Sequence, residues 1–253
     1  MKRVCLSVAH MLTLIAVGAA APVPVSNADA VFHITPVRPV QDLLPEALAA
    51  KPPKETGKFR DFDLVELAAM DPGIKLDIRY ASHRNFLGTP LYSQARAFLQ
   101  RPAAEALERV QQALKPLGYG LLIYDGYRPW YVTKLFWDAT PPEQHVFVAP
   151  PDKGSRHNRG CAVDLGLYDL ATGKPVAMPS GYDEMTERAY ADYPGGTEDE
   201  RKARGILRQA MEKEGFTVYK EEWWHFDYRD WPHYPIGDVR FEDLGTGLPA
   251  KAG

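Results

Sequence analysis

One seven-residue run constrains this chain more than any other: Cys161-Ala162-Val163-Asp164-Leu165-Gly166-Leu167. As a strand, it puts Cys161, Val163, Leu165 and Leu167 on one face and Ala162, Asp164 and Gly166 on the other, because successive side chains alternate. The first face is apolar and belongs in a core. The second carries a carboxylate among small residues, and is expected to stay open to a metal or a substrate. His157 lies seven residues before Asp164, an odd offset, so Asn158-Arg159-Gly160 must turn or bulge to bring the imidazole over the carboxylate, with Gly160 allowing it.

A histidine and an aspartate converging in this way suit zinc, which accepts imidazole nitrogen and carboxylate oxygen at about 2.0–2.2 Å. Two ligands do not make a site, and His225 in Glu222-Trp223-Trp224-His225 is the best third. Three protein ligands leave a fourth position for water, the pattern of a catalytic zinc. Glu222 is then placed as general base. A regular strand would put Glu222 and His225 on opposite faces, so Glu222 is expected in a turn entering the strand.

Taken singly, these residues have plainer readings. His157 reads as a structural or surface histidine, Asp164 as a salt-bridge partner, and Trp223 and Trp224 as core. Cys161 faces the core on this register. His33, His83, His145 and His233 lack a comparable neighbourhood. Ser155 lies two residues before His157, but no Gly-x-Ser-x-Gly elbow surrounds it.

The rest of the chain supplies a frame. Leu64 to Leu67 and the alternating run Ile74 to Tyr80 flank the turn Asp71-Pro72-Gly73, and the second run predicts a half-buried strand. Pro102 opens a helix whose apolar stripe runs from Ala103 to Leu114, ended by Pro116 and Gly118. The short strand Gly120–Tyr124 leads into Asp125-Gly126-Tyr127-Arg128-Pro129. Thr197 and Glu200 form a capping box for a second helix stopped by Gly215, and Phe216–Tyr219 predicts another strand. Helices interspersed with antiparallel strands predict an α+β domain: one domain, with a central, mainly antiparallel sheet carrying the zinc site and helices flanking it. A length of 253 residues suits one such core. A formal charge of -3 lacks the basic excess that holds nucleic acid, so none is expected as a partner.

Lys2 and Arg3, the apolar run Met11–Ala21 and Ala28-Asp29-Ala30 read as a signal peptide over residues 1–30. The run is shorter than the ~20 residues of a spanning helix, so no membrane span is expected in the mature protein, which would be exported and periplasmic. Only Cys161 would remain of the two cysteines, leaving no internal disulfide. Residues 31–60, rich in proline and alanine, are expected as an extended arm, residues 61–240 as the catalytic domain and 241–253 as a tail.

Ser155-x-His157-x-x-Gly160-x-Ala162-x-Asp164, followed by Glu222-x-Trp224-His225, resembles the zinc site of the D-alanyl-D-alanine dipeptidases, relatives of the zinc D,D-carboxypeptidases. The likeness extends over roughly Asp77 to Tyr234, through Tyr80-Ala81-Ser82, Asn85-Phe86, Asp125-Gly-Tyr-Arg128-Pro, Leu167-Tyr168, Thr172-Gly173, Met178, Tyr182-Asp183 and Glu187-Arg188. It implies one zinc per chain on His157, Asp164 and His225. Glu222 would deprotonate the attacking water and later protonate the leaving amine, and Arg128 would face the oxyanion. Asp183 and Tyr80 would fix the free ammonium of a small dipeptide, with Ser155 also binding substrate. By sequence alone, Arg128 could instead pair with Asp125, Asp183 could cap a helix, and Tyr80 could be a strand residue. The implied reaction is hydrolysis of D-alanyl-D-alanine in cell-wall peptide turnover or salvage. The rivals are a carboxypeptidase acting on peptidoglycan stem peptides and a non-catalytic zinc-containing binding domain.

Overall fold

A computed structural model describes residues 31–245; the segment expected as a signal peptide lies outside the described residues. Five strands form the central sheet in the order β2-β4-β5-β7-β6: β2 (Lys75–Leu76), β4 (Tyr119–Asp125), β5 (Ala162–Asp169), β6 (Phe216–Tyr219) and β7 (Glu222–Tyr228). Among the described residues, only the β2–β4 pairing is parallel. A separate antiparallel pair joins β1 (Leu64–Glu66) to β3 (Phe98–Gln100). With its helices this is the expected α+β domain.

The two long helices form where apolar stripe and caps agree. α3 (Arg101–Leu114) has Pro102 in its first turn and buries Ala103, Ala106, Leu107, Val110 and Leu114. α5 (Glu198–Lys213) begins with a complete capping box. The Thr197 hydroxyl accepts from the Glu200 amide, and the Glu200 carboxylate accepts from the Thr197 amide. Both helices pack on each other and on the sheet. The short helix α2 (Leu67–Met70) follows β1 directly, and α4 (Trp130–Ala139) follows the Gly-Tyr-Arg-Pro turn.

Four expectations need correction. Residues 31–60 are not an extended arm throughout, since α1 (Val40–Ala49) buries Val40, Leu43 and Ala47 and packs on α4. Its Pro45 reads as a breaker in sequence, but the apolar stripe outweighs the missing amide donor. Glu55 further ties this segment down, accepting from the Arg159 guanidinium at 2.6 Å and from the Ile236 amide at 2.6 Å. Second, the alternating run Ile74–Tyr80 is a strand only over Lys75–Leu76. Arg79–Ala81 curls into a 3-10 turn, with buried Arg79 donating to Asp77 at 2.8 Å.

Third, the small-residue face of the sheet stays open only at Asp164, which lines a cavity; beyond it aromatic rings cover the face. A Cβ on Gly120 would stand 2.3 Å from the Tyr168 ring, and one on Gly166 would stand 2.7 Å from the Tyr124 hydroxyl. Every residue from Ala162 to Tyr168 is buried. Fourth, the tail does not begin at Phe241, which is buried against Tyr92, Phe98 and Tyr127. No helix among the described residues is long and apolar enough to cross a membrane.

Candidate active site

The strand register builds the centre of the site. Asp125 on β4 lies opposite Asp164 on β5, and Asp164 lies opposite His225 on β7. Directly opposed residues share a face, with Cβ atoms about 4.5–5.5 Å apart. The β4–β5 register shifts between Ile123 and Asp125, leaving Tyr124 as the extra residue. Without that bulge Asp125 would oppose Val163 on the core face. Two carboxylates side by side repel, and Arg128 answers them. It donates to Asp125 at 2.9 Å from Nε, and Nη2 lies 2.8 Å from Asp125 and 3.6 Å from Asp164. Burial works against the Arg128 charge, but Asp125 leads the neighbours that hold it firmly protonated.

His157 arrives from a 3-10 turn over His157–Arg159, which ends at Gly160 in the left-handed region with φ 66°. A Cβ there would be strained by the backbone and would meet Leu64 at 2.6 Å. His157 Nε2, His225 Nδ1 and Asp164 Oδ1 then form a near-equilateral triangle with sides of 3.1, 3.2 and 3.1 Å.

The opposite ring nitrogens fix what the triangle is. His157 Nδ1 lies 2.8 Å from the Gly126 carbonyl and His225 Nε2 lies 2.9 Å from Asp227 Oδ1. Both partners only accept, so those nitrogens carry the protons, and in the neutral rings lone pairs face inward. Asp164 Oδ1 is buried and has no hydrogen-bond partner. Three lone pairs aimed at one another are repulsive until a cation lies between them. Tetrahedral zinc with bonds of about 2.0–2.1 Å spaces its ligands roughly 3.3–3.4 Å apart, close to the observed sides. His157, Asp164 and His225 thus fit zinc by atom type, spacing and outer partners. Burial opposes charge on His225, but Asp227 and Asp164 outweigh it and raise its pKa well above the ordinary value. Burial likewise opposes the Asp164 carboxylate, and the two histidines hold it well below the usual carboxylate range.

Glu222 is not in the turn expected for it but is the first residue of β7, after the turn Lys220-Glu221, where the hairpin register shifts so that Tyr219 opposes Glu222. It thereby escapes the strict alternation and brings Oε2 to 3.7 Å from His225 Nδ1. Burial foremost, with Asp164 adding to it against the His225 charge, pushes its carboxyl up to about 8. Asp183 is neither in a helix nor capping one. It takes a left-handed φ of 58°, which aspartate tolerates better than most residues. Its carboxylate accepts from the Tyr80 hydroxyl at 2.9–3.0 Å, and burial, followed by Asp164, raises it to about 8. Tyr80 is buried on the 3-10 turn, not on a strand. Ser155 Oγ accepts from the His157 amide at 3.2 Å.

All eight residues singled out in the sequence line one cavity of about 450 Å³, with Phe86, Phe136, Met185 and Trp224 among its apolar walls. Cys161 is buried away from it, and burial pushes its thiol well up. His145, set aside as a ligand, also lines the cavity, with its ring stacked on Trp137 at 3.8 Å. Two contributors were missed, and a third, Asp125, was foreseen only as an alternative partner for Arg128, which it is, though buried. Asp227 sits two residues after His225, on the same strand face, and period-two alternation could have found it. Asp125 depends on the bulge, and Tyr182, whose hydroxyl lies 2.8 Å from Asp164 Oδ2, depends on tertiary packing.

Residues 60–242 match the family model described as D-ala-D-ala dipeptidase, Peptidase_M15. The chain belongs to this family. Its members are zinc-dependent metallopeptidases. The D-alanyl-D-alanine dipeptidase of Escherichia coli (strain K12) is 36% identical over 174 residues, 69% of this chain and 89% of that protein. The Enterococcus faecalis (strain ATCC 700802 / V583) D-alanyl-D-alanine dipeptidase is 36% identical over 64% of this chain and 89% of its own length. The Streptomyces coelicolor relative of the same name is 35% identical over 70% and 95%. Among solved structures, the LdcB LD-carboxypeptidase aligns at 20% identity and a TM-score of 0.39, over 77% of this chain and 78% of that one, too distant to bear on the site.

Proposed function

We propose that this member of the D-ala-D-ala dipeptidase family hydrolyses free D-alanyl-D-alanine to two D-alanines, with one zinc ion held by His157, Asp164 and His225. The observation that carries the reading is the triangle of inward lone pairs with Glu222, Arg128 and the Tyr80–Asp183 pair around the same cavity. Zinc, when bound, supplies a Lewis acid and brings the pKa of water down to about 7.

The chain's own groups do the rest. Glu222 takes the proton of the attacking water and delivers it to the leaving amine. Its carboxyl lies 3.7 Å from His225 Nδ1, beside the metal position, within reach of both transfers. Arg128, fixed by Asp125, offers rigid donors where negative charge develops on the carbonyl oxygen. Asp183, buried and costly to ionise alone, accepts from the substrate ammonium, which offsets that cost. Ser155 contributes to substrate binding from the turn that carries His157.

The Asp183–Tyr80 pair favours a dipeptidase over a carboxypeptidase, because a stem peptide needs the amino side of the scissile residue open. The joint presence of Glu222 and Arg128 favours an enzyme over a zinc-containing binding domain. Release of D-alanine from free dipeptide and from a stem pentapeptide, each with and without chelator, tests the reading. The expected result is chelator-sensitive release from the dipeptide alone; release from the pentapeptide at a similar rate would replace it with the carboxypeptidase. We also propose a periplasmic setting and a role in cell-wall peptide turnover or salvage, supported by Lys2, Arg3 and the apolar run Met11–Ala21. Fractionation of cells expressing the full chain tests that setting.

A further inference from the structure

Asp164 divides its two oxygens. Oδ1 faces the histidine pair, while Oδ2 accepts from the Tyr182 hydroxyl at 2.8 Å. That hydroxyl is 3.0 Å from the Tyr80 hydroxyl, which is 2.9 Å from Asp183 Oδ2. One unbroken chain of contacts thus runs from Asp164 to Asp183 through two buried tyrosines, both tightly packed. The Tyr182 ring lies 4.7 Å from Tyr124, 5.4 Å from Trp224 and 6.1 Å from Tyr80.

With Asp183 protonated, the form its burial favours in the absence of a cation, three protons serve the three contacts; once both carboxylates are ionised the chain is short by one. Two hydroxyls bring two protons to three contacts. With both carboxylates ionised, Tyr182 donates to Asp164 and Tyr80 donates to Asp183, so the contact between the hydroxyls has no proton. An ammonium arriving at Asp183 brings N–H donors to that end. Tyr80 is then released to donate to Tyr182 while Tyr182 stays on Asp164, and every contact is satisfied.

We propose that Tyr182 is a positioning residue that ties the ammonium anchor Asp183 to the metal ligand Asp164, fixing the span between substrate amine and metal and thereby selecting α-dipeptides. The inference rests on the proposed roles of Asp183 and Asp164. A hydroxyl on Oδ2 holds the carboxylate with Oδ1 toward the metal position, and loss of such an outer partner typically costs about 10–100-fold in metal affinity or activity. The same hydroxyl spaces Tyr80 and hence Asp183. An amine displaced by one methylene no longer meets Asp183 when the scissile carbonyl is in place.

The test compares wild type with Tyr182→Phe, which keeps the ring and removes the hydroxyl. Zinc affinity is measured by competition with a chromophoric chelator, and kcat/KM on D-alanyl-D-alanine and on β-alanyl-D-alanine. The expected result is a roughly tenfold or greater loss of zinc affinity in Tyr182→Phe, together with a narrowed preference for the α-dipeptide. Tyr80→Phe cuts the chain at its other hydroxyl and is expected to narrow the preference while zinc affinity stays within about threefold of wild type. That variant carries the test if Tyr182→Phe does not fold. Wild-type zinc affinity or an undiminished preference in Tyr182→Phe overturns the inference, as does an undiminished preference in Tyr80→Phe. A wild-type enzyme that binds no zinc or does not prefer the α-dipeptide sinks the underlying functional reading instead, so the two failures are distinct.

Discussion

At the scale of single residues, the outer ring nitrogen of each histidine in the cluster has an acceptor of its own. His225 turns Nδ1 to the metal position because Asp227 holds its Nε2 at 2.9 Å, and Arg156 stands 3.5 Å from the other Asp227 oxygen. Replacing Asp227 by Asn removes the carboxylate and leaves the ring orientation to a neutral amide. Zinc affinity, measured by competition with a chelator, is expected to fall about 10–100-fold, and an unchanged affinity would show that packing alone orients His225. Glu222→Gln keeps the shape and loses the base. It is expected to retain zinc while kcat falls about 10²- to 10⁴-fold, and near-normal turnover would remove Glu222 from the chemistry. That His157, Asp164, His225 and Glu222 meet was legible, because their atom types suit one metal site and the offsets around Gly160 and Glu222 allow them to converge. The place of Asp125 opposite Asp164 was not, because it depends on a bulge at Tyr124 that leaves no mark in the alternation.

At the scale of elements, local pattern succeeded where one force dominated. β5, α3, α5 and β6 carry clean periodicity with caps or turns at their ends, and the structure follows them. It failed where tertiary contacts overrule the pattern. Ile74–Tyr80 alternates like a strand, yet Ile74, Ile78 and Tyr80 are all buried and the chain curls to send Tyr80 into the cavity. α1 was hidden by prolines. Its Leu43 is 1% exposed and packs in the main core, so Leu43→Ala is expected to destabilise the domain by about 2–5 kcal/mol. Equilibrium urea unfolding checks this through the midpoint; an unshifted midpoint would restore the segment to the status of a loose arm.

At the scale of the whole molecule, the sheet is a platform that brings three unlike groups to one cavity: the His157–Asp164–His225 cluster, the buried Asp183 carboxyl and the Arg128 guanidinium held by Asp125. On the proposed reading, closure of the amino side at Asp183 and Tyr80 is what would separate cleavage of a free dipeptide from trimming of a stem peptide. The measurement that tests this most directly is the ratio of kcat/KM for D-alanyl-D-alanine to that for its N-acetyl form, in the wild type and in Asp183→Ala. Acetylation removes the charge that Asp183 accepts, and a charge-assisted hydrogen bond is worth roughly 1.5–3 kcal/mol, or about ten- to more than a hundredfold. The wild type is expected to prefer the free dipeptide by at least that factor, and Asp183→Ala to narrow the gap mainly by losing activity on the free form. Equal cleavage of the free and acetylated dipeptides by the wild type would contradict the proposed reading.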